Sequence, residues 1–329
     1  MTQPIPLLDI APFFKGGAAD KADIAKGMNQ AFEEIGFLVI TGHGVDETLV
    51  QSLYDTAKQF FALPLGEKDV YSPAKRSDNV GYIAMGRESV ASTLAGETPP
   101  DLCEAFVYKS FFQERAANLA GTAIWRNHRP VQPAQFARLG EQYYWEVDRL
   151  ASDLYRIVAI ALGLAEDYFK PLFQEHWNTL RIVNYPDQTV DPLPGQLRYG
   201  AHHDYGGLTI LRQDAAPGGL EICDREGRWH EAPIIPGSFL INIGDMMSRW
   251  TNGRWRSTLH RVTNPPRHLS GSTQRLSIVT FVRPDDEAEI VALPGCVDAE
   301  HPALFPPIKA GVYSRGKIST SSLDKAVHV

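Results

Sequence analysis

The part of the chain that follows Thr179 is the feature that most restricts the fold. It consists of short apolar or alternating runs, which are separated by Gly, Pro and Asp residues that favour turns. The runs cover residues 180–185, 208–212, 219–223, 238–243, 258–262 and 276–282. Evenly spaced short strands without intervening helices predict an antiparallel sandwich or barrel, and a double-sheet jelly roll is one common form.

The preceding residues are largely helical in pattern. Residues 133–164 carry apolar side chains at steps of three and four, which predicts a long helix that supports the sheet. A second helix is predicted over residues 20–35, followed by a buried strand at 37–41. Residues 72–131 show no clear periodicity but contain several aromatic side chains. We expect this stretch to be a packed loop region that lines a pocket.

These patterns together predict an α+β, mainly β fold. Its core is a double-stranded β-helix (jelly roll), with supporting N-terminal helices and a long backbone helix. Residues 1–131 are expected to form a helical and irregular N-terminal region, and residues 132–329 the backbone helix and the jelly-roll core. No internal repeat or convincing linker interrupts the sequence, so the two parts are expected to pack as one unit.

Charge and composition argue against several classes of partner. The 329-residue chain has 32 Lys and Arg against 39 Asp and Glu, a formal net charge of −7 and no basic block, so nucleic acid is not expected as a main partner. The longest apolar run, near 157–164, is too short to span a membrane, and the first residues lack a signal-peptide pattern. Three cysteines without CxxC spacing are typical of a reducing compartment. A cytoplasmic protein is therefore predicted, and its oligomeric state stays open.

A histidine and an aspartate, spaced for one face of a strand, indicate a metal site. His202 and Asp204 are two residues apart and are predicted to share a face, while His203 between them points to the other. A third ligand is expected from a distant strand, and His260 lies in such a strand. Asp245 is a rival carboxylate, although its place after a glycine at a strand end favours a turn cap. The remaining candidate histidines lie in a hairpin or in loop-like segments: His230, His268 and His301.

Two histidines and one carboxylate suit more than one metal. They form the facial triad of non-haem Fe(II) oxygenases, which leaves coordination positions open, but zinc hydrolases use a similar set. Arg275 and Ser277 alternate onto one face of a later strand, where a guanidinium and a hydroxyl can hold a carboxylate. Phe281 lies farther along the same face as a possible apolar wall. An anchor for an anionic co-substrate beside an apolar wall favours the iron oxygenase.

These residues, in this order, resemble the isopenicillin N synthase-like branch of the Fe(II)- and 2-oxoglutarate-dependent oxygenases. The resemblance covers nearly the whole chain. In the N-terminal half it lies in residues 5–10, 34–45, 60–64 and 81–82, and in the second half in 201–211, 235–245 and 249–262.

The resemblance implies a dioxygenase that uses Fe(II), 2-oxoglutarate and O2. His202, Asp204 and His260 would hold iron and form the catalytic centre. Arg275 and Ser277 would bind the far carboxylate of 2-oxoglutarate, with Tyr185 as a further contact. A small-molecule substrate would be oxidised, most simply by hydroxylation, with release of succinate and CO2.

The substrate and some alternatives stay open at this point. His203 stands where the family often has Thr, and it is either a substrate contact or a simple sheet-face residue. Arg181 pairs either with an anionic substrate inside the cavity or with a carboxylate at the surface. Within the fold, an oxidase that does not use 2-oxoglutarate is the alternative, because Arg275 and Ser277 can also hold a substrate carboxylate. A non-catalytic metal-binding protein is the alternative outside enzymes.

Overall fold

A computed structural model describes residues 5–75, 78–96, 98–120, 126–269 and 271–321 of the protein. The helices are α1 (Ala11–Lys15), α2 (Ala18–Glu34), α3 (Glu47–Phe61), α4 (Leu65–Asp69), α5 (Ser92–Ala95), α6 (Phe111–Ala120), α7 (Phe136–Ala161), α8 (Asp245–Trp250) and α9 (Ala310–Ser321). The strands are β1 (Leu7–Asp9), β2 (Phe37–Thr41), β3 (Gly81–Ile83), β4 (Glu104–Tyr108), β5 (Thr179–Tyr185), β6 (Tyr199–His202), β7 (Leu208–Gln213), β8 (Leu220–Cys223), β9 (Trp229–Glu231), β10 (Phe239–Ile243), β11 (His260–Val262), β12 (Arg275–Val282), β13 (Glu289–Ile290) and β14 (Ile308–Lys309).

Two facing sheets form the jelly roll. The large sheet has eight strands in the order β1-β2-β10-β7-β12-β5-β4-β3, and the small sheet has four in the order β6-β11-β8-β9. Every pairing in them is antiparallel except β1 with β2, and β13 pairs with β14 separately. The predicted double-stranded β-helix with supporting helices is therefore confirmed.

The large sheet separates two cores, because successive side chains of a strand point to opposite faces. In β2, Leu38 and Ile40 pack toward the helices, while Phe37 and Val39 pack toward the small sheet. The second core, between the sheets, is completed from the small sheet by Leu220, Ile222 and Val262. Strands buried on both faces read as continuous apolar runs, which explains the sequence of β2.

Helix α7 is the long backbone helix. Its apolar stripe, which includes Leu139, Val147 and Leu154, is buried in the core on the helix side of the large sheet. The chain then leaves the helix at Gly163, whose φ of 73° suits a residue without Cβ. In the part of the chain that the structure describes, no helix combines the length and the apolar character needed to cross a lipid bilayer.

The stretch 72–131 is more regular than its sequence indicates. It contributes β3 and β4, which extend the large sheet beyond β5, together with α5 and α6. All five residues of β4 are buried, so its sequence lacks the alternation that marks a half-exposed strand. The strand also begins with a charged residue, Glu104, which is buried against Lys68, Tyr82 and Asn184. The expectation of an irregular region was wrong for these elements, whereas residues of the stretch do line a cavity, of about 290 Å³.

Candidate active site

His202, Asp204 and His260 converge at one end of the small sheet. His202 ends β6, His260 begins β11, and the two residues are directly paired across these strands. Nε2 of His202 lies 3.5 Å from Oδ1 of Asp204, and Nε2 of His260 lies 3.8 Å from Oδ2. One donor atom from each residue falls within 4.8 Å of the others, and all three residues are buried. The three candidates that were separated in the sequence thus form one cluster.

Hydrogen bonds orient each member of this cluster. The Nδ1 atom of His202 lies 2.9 Å from the Gly200 carbonyl, and that of His260 lies 2.9 Å from the Thr258 carbonyl. These contacts hold Nδ1 as the donor and leave each Nε2 free to face Asp204. Such carbonyl partners are typical of histidines that bind metals.

The carboxylate is oriented by two neutral donors that sequence reasoning missed. Oδ2 of Asp204 accepts hydrogen bonds from Thr209 Oγ1 and from Asn242 Nδ2, each at 2.7 Å. Thr209 lies on β7 and Asn242 on β10, and both are buried. The one sequence signal was Asn242 itself, because an amide within an otherwise apolar strand needs a partner.

The electrostatics favour a metal-ready form of the cluster. Burial and the neighbouring His202 lower the pKa of His260 to about 4, so its imidazole is neutral at neutral pH. Burial opposes ionisation of Asp204, but the adjacent imidazoles of His260 and His202 and the Asn242 amide hold its pKa well below the usual value. Neutral imidazole and ionised carboxylate are the donor forms that metal ions require. The two-histidine, one-carboxylate set fits non-haem Fe(II).

Arg275 places a buried cation beside the cluster. Its side chain is fully buried on β12, where Nη1 donates to Ser277 Oγ and Nη2 donates to Gln213 Oε1 at 2.9 Å. The guanidinium lies 5.3 Å from the centre of the Tyr185 ring. Among the residues that the structure describes, no carboxylate forms an ion pair with Arg275, and its Nε has no hydrogen-bond partner. A buried guanidinium without an anion is costly, so this position suits an anionic ligand.

Arg275 and the cluster line one narrow cavity. This inner cavity has a volume of about 50 Å³, and Ser277, Tyr185 and Phe281 line it as well. Apolar side chains from both sheets complete its walls: Val183, Leu211, Leu220, Val262 and Val279. Because it lies between the sheets, it joins a metal-binding end to an anion-binding end.

A larger cavity opens on the other side of the cluster. It has a volume of about 290 Å³, and His202, Asp204 and Phe281 line both cavities. His203 lines only the larger one, in keeping with its place on the opposite face from the two ligands. Nδ1 of His203 is buried and finds no hydrogen-bond partner among the residues that the structure describes.

Arg181 also lines both cavities, and its partner is an acidic residue of the protein. Nη1 donates to Glu88 Oε1 at 3.0 Å and Nη2 donates to Oε2 of the same carboxylate. Arg181 is 6% exposed, so the pair is not a surface salt bridge. Its guanidinium also lies 5.8 Å from the centre of the Tyr199 ring. Glu88 was not anticipated, because it belongs to the stretch in which no pattern was visible.

The rival candidates have other partners. His230 contacts the Asp224 carboxylate at 2.7 Å, and His301 is exposed beside Asp298. The Asp245 side chain accepts hydrogen bonds from Ser257 and Tyr313 and pairs with Lys317.

Comparison with known proteins agrees with this geometry. Residues 5–128 match the family model described as the non-haem dioxygenase in morphine synthesis N-terminal domain, and residues 177–284 match that of the 2OG-Fe(II) oxygenase superfamily. The chain is 32% identical to the 2-oxoglutarate-Fe(II) type oxidoreductase hxnY of Emericella nidulans, over 96% of this chain and 90% of that protein. It is 31% identical to a homoarginine-6-hydroxylase of Glycine max, over 84% of each.

A solved structure has the same fold over almost the whole length. It is that of a full-length Neurospora crassa protein in complex with alpha-KG and thymine, and it superimposes with a TM-score of 0.84 at 28% identity, over 96% of each chain. The alternative of an oxidase that does not use 2-oxoglutarate finds no support in these comparisons. The resemblance inferred from the sequence is therefore confirmed: the chain belongs to the 2OG-Fe(II) oxygenase superfamily and is a dioxygenase that uses Fe(II), 2-oxoglutarate and O2 to oxidise small molecules.

Proposed function

We propose specific roles for the residues around the two cavities. His202, Asp204 and His260 hold Fe(II), and Arg275 with Ser277 binds the far carboxylate of 2-oxoglutarate, next to the Tyr185 ring. The observation that carries this assignment is the fully buried Arg275, which shares a narrow cavity with the metal cluster and lacks an anionic partner among the described residues.

The protein's own residues position and protect the reaction. Fe(II) held by these residues would supply the redox chemistry in which 2-oxoglutarate and O2 give succinate, CO2 and an oxidised substrate. Arg275 and Ser277 fix the far end of the co-substrate, which leaves its keto acid end toward the cluster. Apolar walls exclude water from this narrow space, and Asp204 keeps its orientation through Thr209 and Asn242.

We place the substrate in the larger cavity, where Arg181, His203 and Phe281 contact it. A volume of about 290 Å³ lies at the lower end of the range for ligand pockets, so a compact substrate is proposed. The ion pair neutralises both partners, but each Glu88 oxygen accepts only one hydrogen bond from Arg181 and keeps a further acceptor position, and the Glu88 side chain is 26% exposed at the cavity wall. We therefore infer a polar substrate that carries N–H donors, rather than the anion considered from the sequence alone. The hydroxylation of homoarginine by a relative, and the thymine bound to the Neurospora crassa protein, are compatible with this class.

The test is succinate release from the purified protein with Fe(II), 2-oxoglutarate and O2 across a panel of nitrogen-containing metabolites. We expect one class of substrate to stimulate release, and Glu88→Gln to raise its KM more than the KM for 2-oxoglutarate. Turnover that continues without 2-oxoglutarate would contradict the anchor, and activity without oxygen in the presence of zinc would contradict the oxygenase. Stimulation only by carboxylates that carry no N–H donor would refute the proposed substrate class.

We also propose a cytoplasmic location. It is supported by the three cysteines, Cys103, Cys223 and Cys296, all of which have free thiols. Fractionation of cells that express the tagged full chain would test it.

A further inference from the structure

The wall of the larger cavity is attached to the strand that carries a metal ligand. Residues 88–91, called the wall segment here, supply Glu88 to the Arg181 pair and Val90 to the cavity lining. Strand β6 ends at His202. One buried residue, Asp101, joins the two and has no role in the proposed chemistry.

Asp101 accepts one hydrogen bond from each side. Its Oδ2 accepts from the Val90 backbone N–H and its Oδ1 from the Gly200 backbone N–H, both at 2.8 Å. Its own N–H donates to the Glu88 carbonyl at 2.9 Å. Asp101 is 3% exposed, so water does not compete for these bonds. A carboxylate held by two main-chain donors in a low dielectric fixes their separation firmly.

Gly200 carries the connection to the metal ligand. The carbonyl of the same residue lies 2.9 Å from Nδ1 of His202 and fixes the orientation of that imidazole. Gly200 also allows the wall segment to approach closely, because a Cβ at this position would lie 2.7 Å from Cβ of Ala91. A displacement of the wall segment is therefore transmitted to β6 both by the Asp101 bonds and by direct contact.

A second set of contacts, through an aromatic ring, also leads from the wall segment to His202. The Arg181 guanidinium, which pairs with Glu88, lies over the Tyr199 ring, and this ring meets the His202 ring edge-on at 4.9 Å between centroids. The wall segment and His202 are thus connected through two independent sets of contacts.

We propose that Asp101 is a positioning residue that couples the wall of the substrate cavity to the orientation of His202. This inference rests on the proposed metal site. The coupling free energy between two linked equilibria is the same in both directions, so if an opening of the wall segment weakens metal binding at His202, metal binding disfavours that opening to the same extent. The coupling can therefore be measured from the metal side, without knowledge of the substrate.

The experiment measures amide hydrogen exchange of residues 88–91 with and without Co(II) in the full-length protein. In the wild type, we expect Co(II) to slow exchange of the Val90 amide by about tenfold. Asp101→Asn keeps the shape but turns one acceptor into a donor that faces a main-chain N–H. In this variant we expect most of the Co(II)-dependent slowing to be lost, with only the part carried by the Tyr199 contact remaining, and Co(II) affinity to fall by about tenfold.

Thr93→Ala is the matched control. Its hydroxyl donates to the Val90 carbonyl in the same region, but it makes no bond to Asp101 or to β6. We expect this variant to retain both the slowing and the Co(II) affinity. Loss of the slowing in Thr93→Ala as well, or undiminished slowing in Asp101→Asn, would overturn the proposal, as would its absence in the wild type.

A second variant serves if Asp101→Asn does not fold. Gly200→Ala should also reduce the Co(II)-dependent slowing, and Ala91→Gly added to it should recover part of the effect, because it removes the 2.7 Å contact and leaves only those with the Ala91 backbone N at 3.2 Å and Asp101 Oδ1 at 3.3 Å. Failure of this rescue would overturn the role of the close contact. Failure of Co(II) to bind the wild type, seen in its visible absorption spectrum, would instead refute the proposed metal site.

Discussion

Asp204 depends on two neighbours that contribute no ligand atom. Partners that orient metal ligands commonly change metal affinity by one to two orders of magnitude. Thr209→Val removes the hydroxyl that donates to Oδ2 at 2.7 Å while keeping the side-chain shape. We expect Fe(II) affinity, measured by equilibrium titration, to fall by about 10–100-fold. Thr280→Val on β12 is the control. The buried Thr280 hydroxyl has no hydrogen-bond partner in the described ranges, so its removal should leave metal affinity unchanged.

Arg275 supplies the second prediction at this scale. Arg275→Lys retains the charge but loses the planar fork that serves Ser277, Gln213 and the proposed carboxylate. Hydrogen bonds to charged groups are worth about 1.5–3 kcal/mol, so we expect KM for 2-oxoglutarate to rise by about 10–100-fold with a smaller effect on kcat. Arg267→Lys, in an exposed ion pair, should leave KM unchanged. An unchanged KM in Arg275→Lys would show that the co-substrate binds elsewhere.

Single site residues could be predicted from the sequence where the residue type itself indicated the chemistry. The two histidines, the aspartate and the Arg275–Ser277 pair were identified from residue type and spacing. The reasoning for Asp204 was only partly right, because β6 ends at His202 and Asp204 lies beyond it. Glu88 was not predictable as the partner of Arg181, because 93 residues separate them and only the folded chain brings them together.

The turn that joins β6 to β7 is constrained by a helix behind it. A Cβ on Gly207 would lie 2.0 Å from the Tyr155 hydroxyl on α7 and 3.3 Å from the ring carbon that bears it. Overpacking of a buried site typically costs about 1–3 kcal/mol, so we expect Gly207→Ala to lower the free energy of unfolding by that amount. Within the described part of the chain the Tyr155 hydroxyl has no hydrogen-bond partner, so Tyr155→Phe should be close to neutral alone and should recover part of the loss in the double variant. Urea unfolding of the four proteins tests this, and strictly additive effects would contradict it.

The junction between α7 and β5 carries a pH-dependent ion pair. Nε2 of His176 lies 2.8 Å from Oδ1 of Asp148 on α7, and although burial opposes the charge, Asp148 raises the pKa of His176. A raised pKa in the folded state stabilises the protein fully below the ordinary histidine pKa of about 6.5. This stabilisation is lost as the pH rises through the higher folded value.

We therefore expect the stability difference between the wild type and His176→Gln to shrink as the pH increases from about 6 to about 8. Thermal unfolding at several pH values measures it. His301→Gln, at an exposed pair, should show little change over the same range. A difference that grows with pH would contradict a raised pKa.

Elements were predictable where their periodicity was strong. The helix predicted over 133–164 is α7, and all six runs of the second half correspond to strands of the two sheets. Strands β3 and β4 were missed because burial on both faces removes the alternating pattern, and because Glu104 makes β4 read as polar. In the folded chain Lys68 pairs with the Glu104 carboxylate and the Tyr82 hydroxyl donates a hydrogen bond to it. These partners are distant in the sequence, so no local pattern indicates them.

The whole molecule depends on strands from its N-terminal part. Strand β2 pairs with β10 on one side of the jelly-roll strands, and β4 pairs with β5 on the other. Removal of residues 1–131 would expose both edges and the apolar stripe of α7, and open sheet edges favour aggregation. That residues 1–131 and 132–329 form one unit stays a prediction, and we expect residues 132–329 alone to be insoluble.

Expression of the two parts separately and together tests this expectation. Co-expression of residues 1–131 should restore soluble material that contains both parts, whereas co-expression of an unrelated domain should not. A soluble, cooperatively unfolding fragment 132–329 would contradict the prediction. The sequence did indicate the jelly roll, but it did not indicate which strands border it, because β2 and β10 are about 200 residues apart in the chain.

The two proposed cofactor sites belong to different sheets, and this arrangement limits the length of the keto acid that can bridge them. The metal cluster extends from the small sheet, and the Arg275 anchor belongs to the large one, so the thickness of the core between them sets the length of the bridging molecule. The side chains that fill this core help to set the distance between the two sheets, and they include Val183, Leu211, Leu220 and Val262. Volume changes at these positions, which contribute no ligand atom, would select between dicarboxylic keto acids that differ by one methylene group.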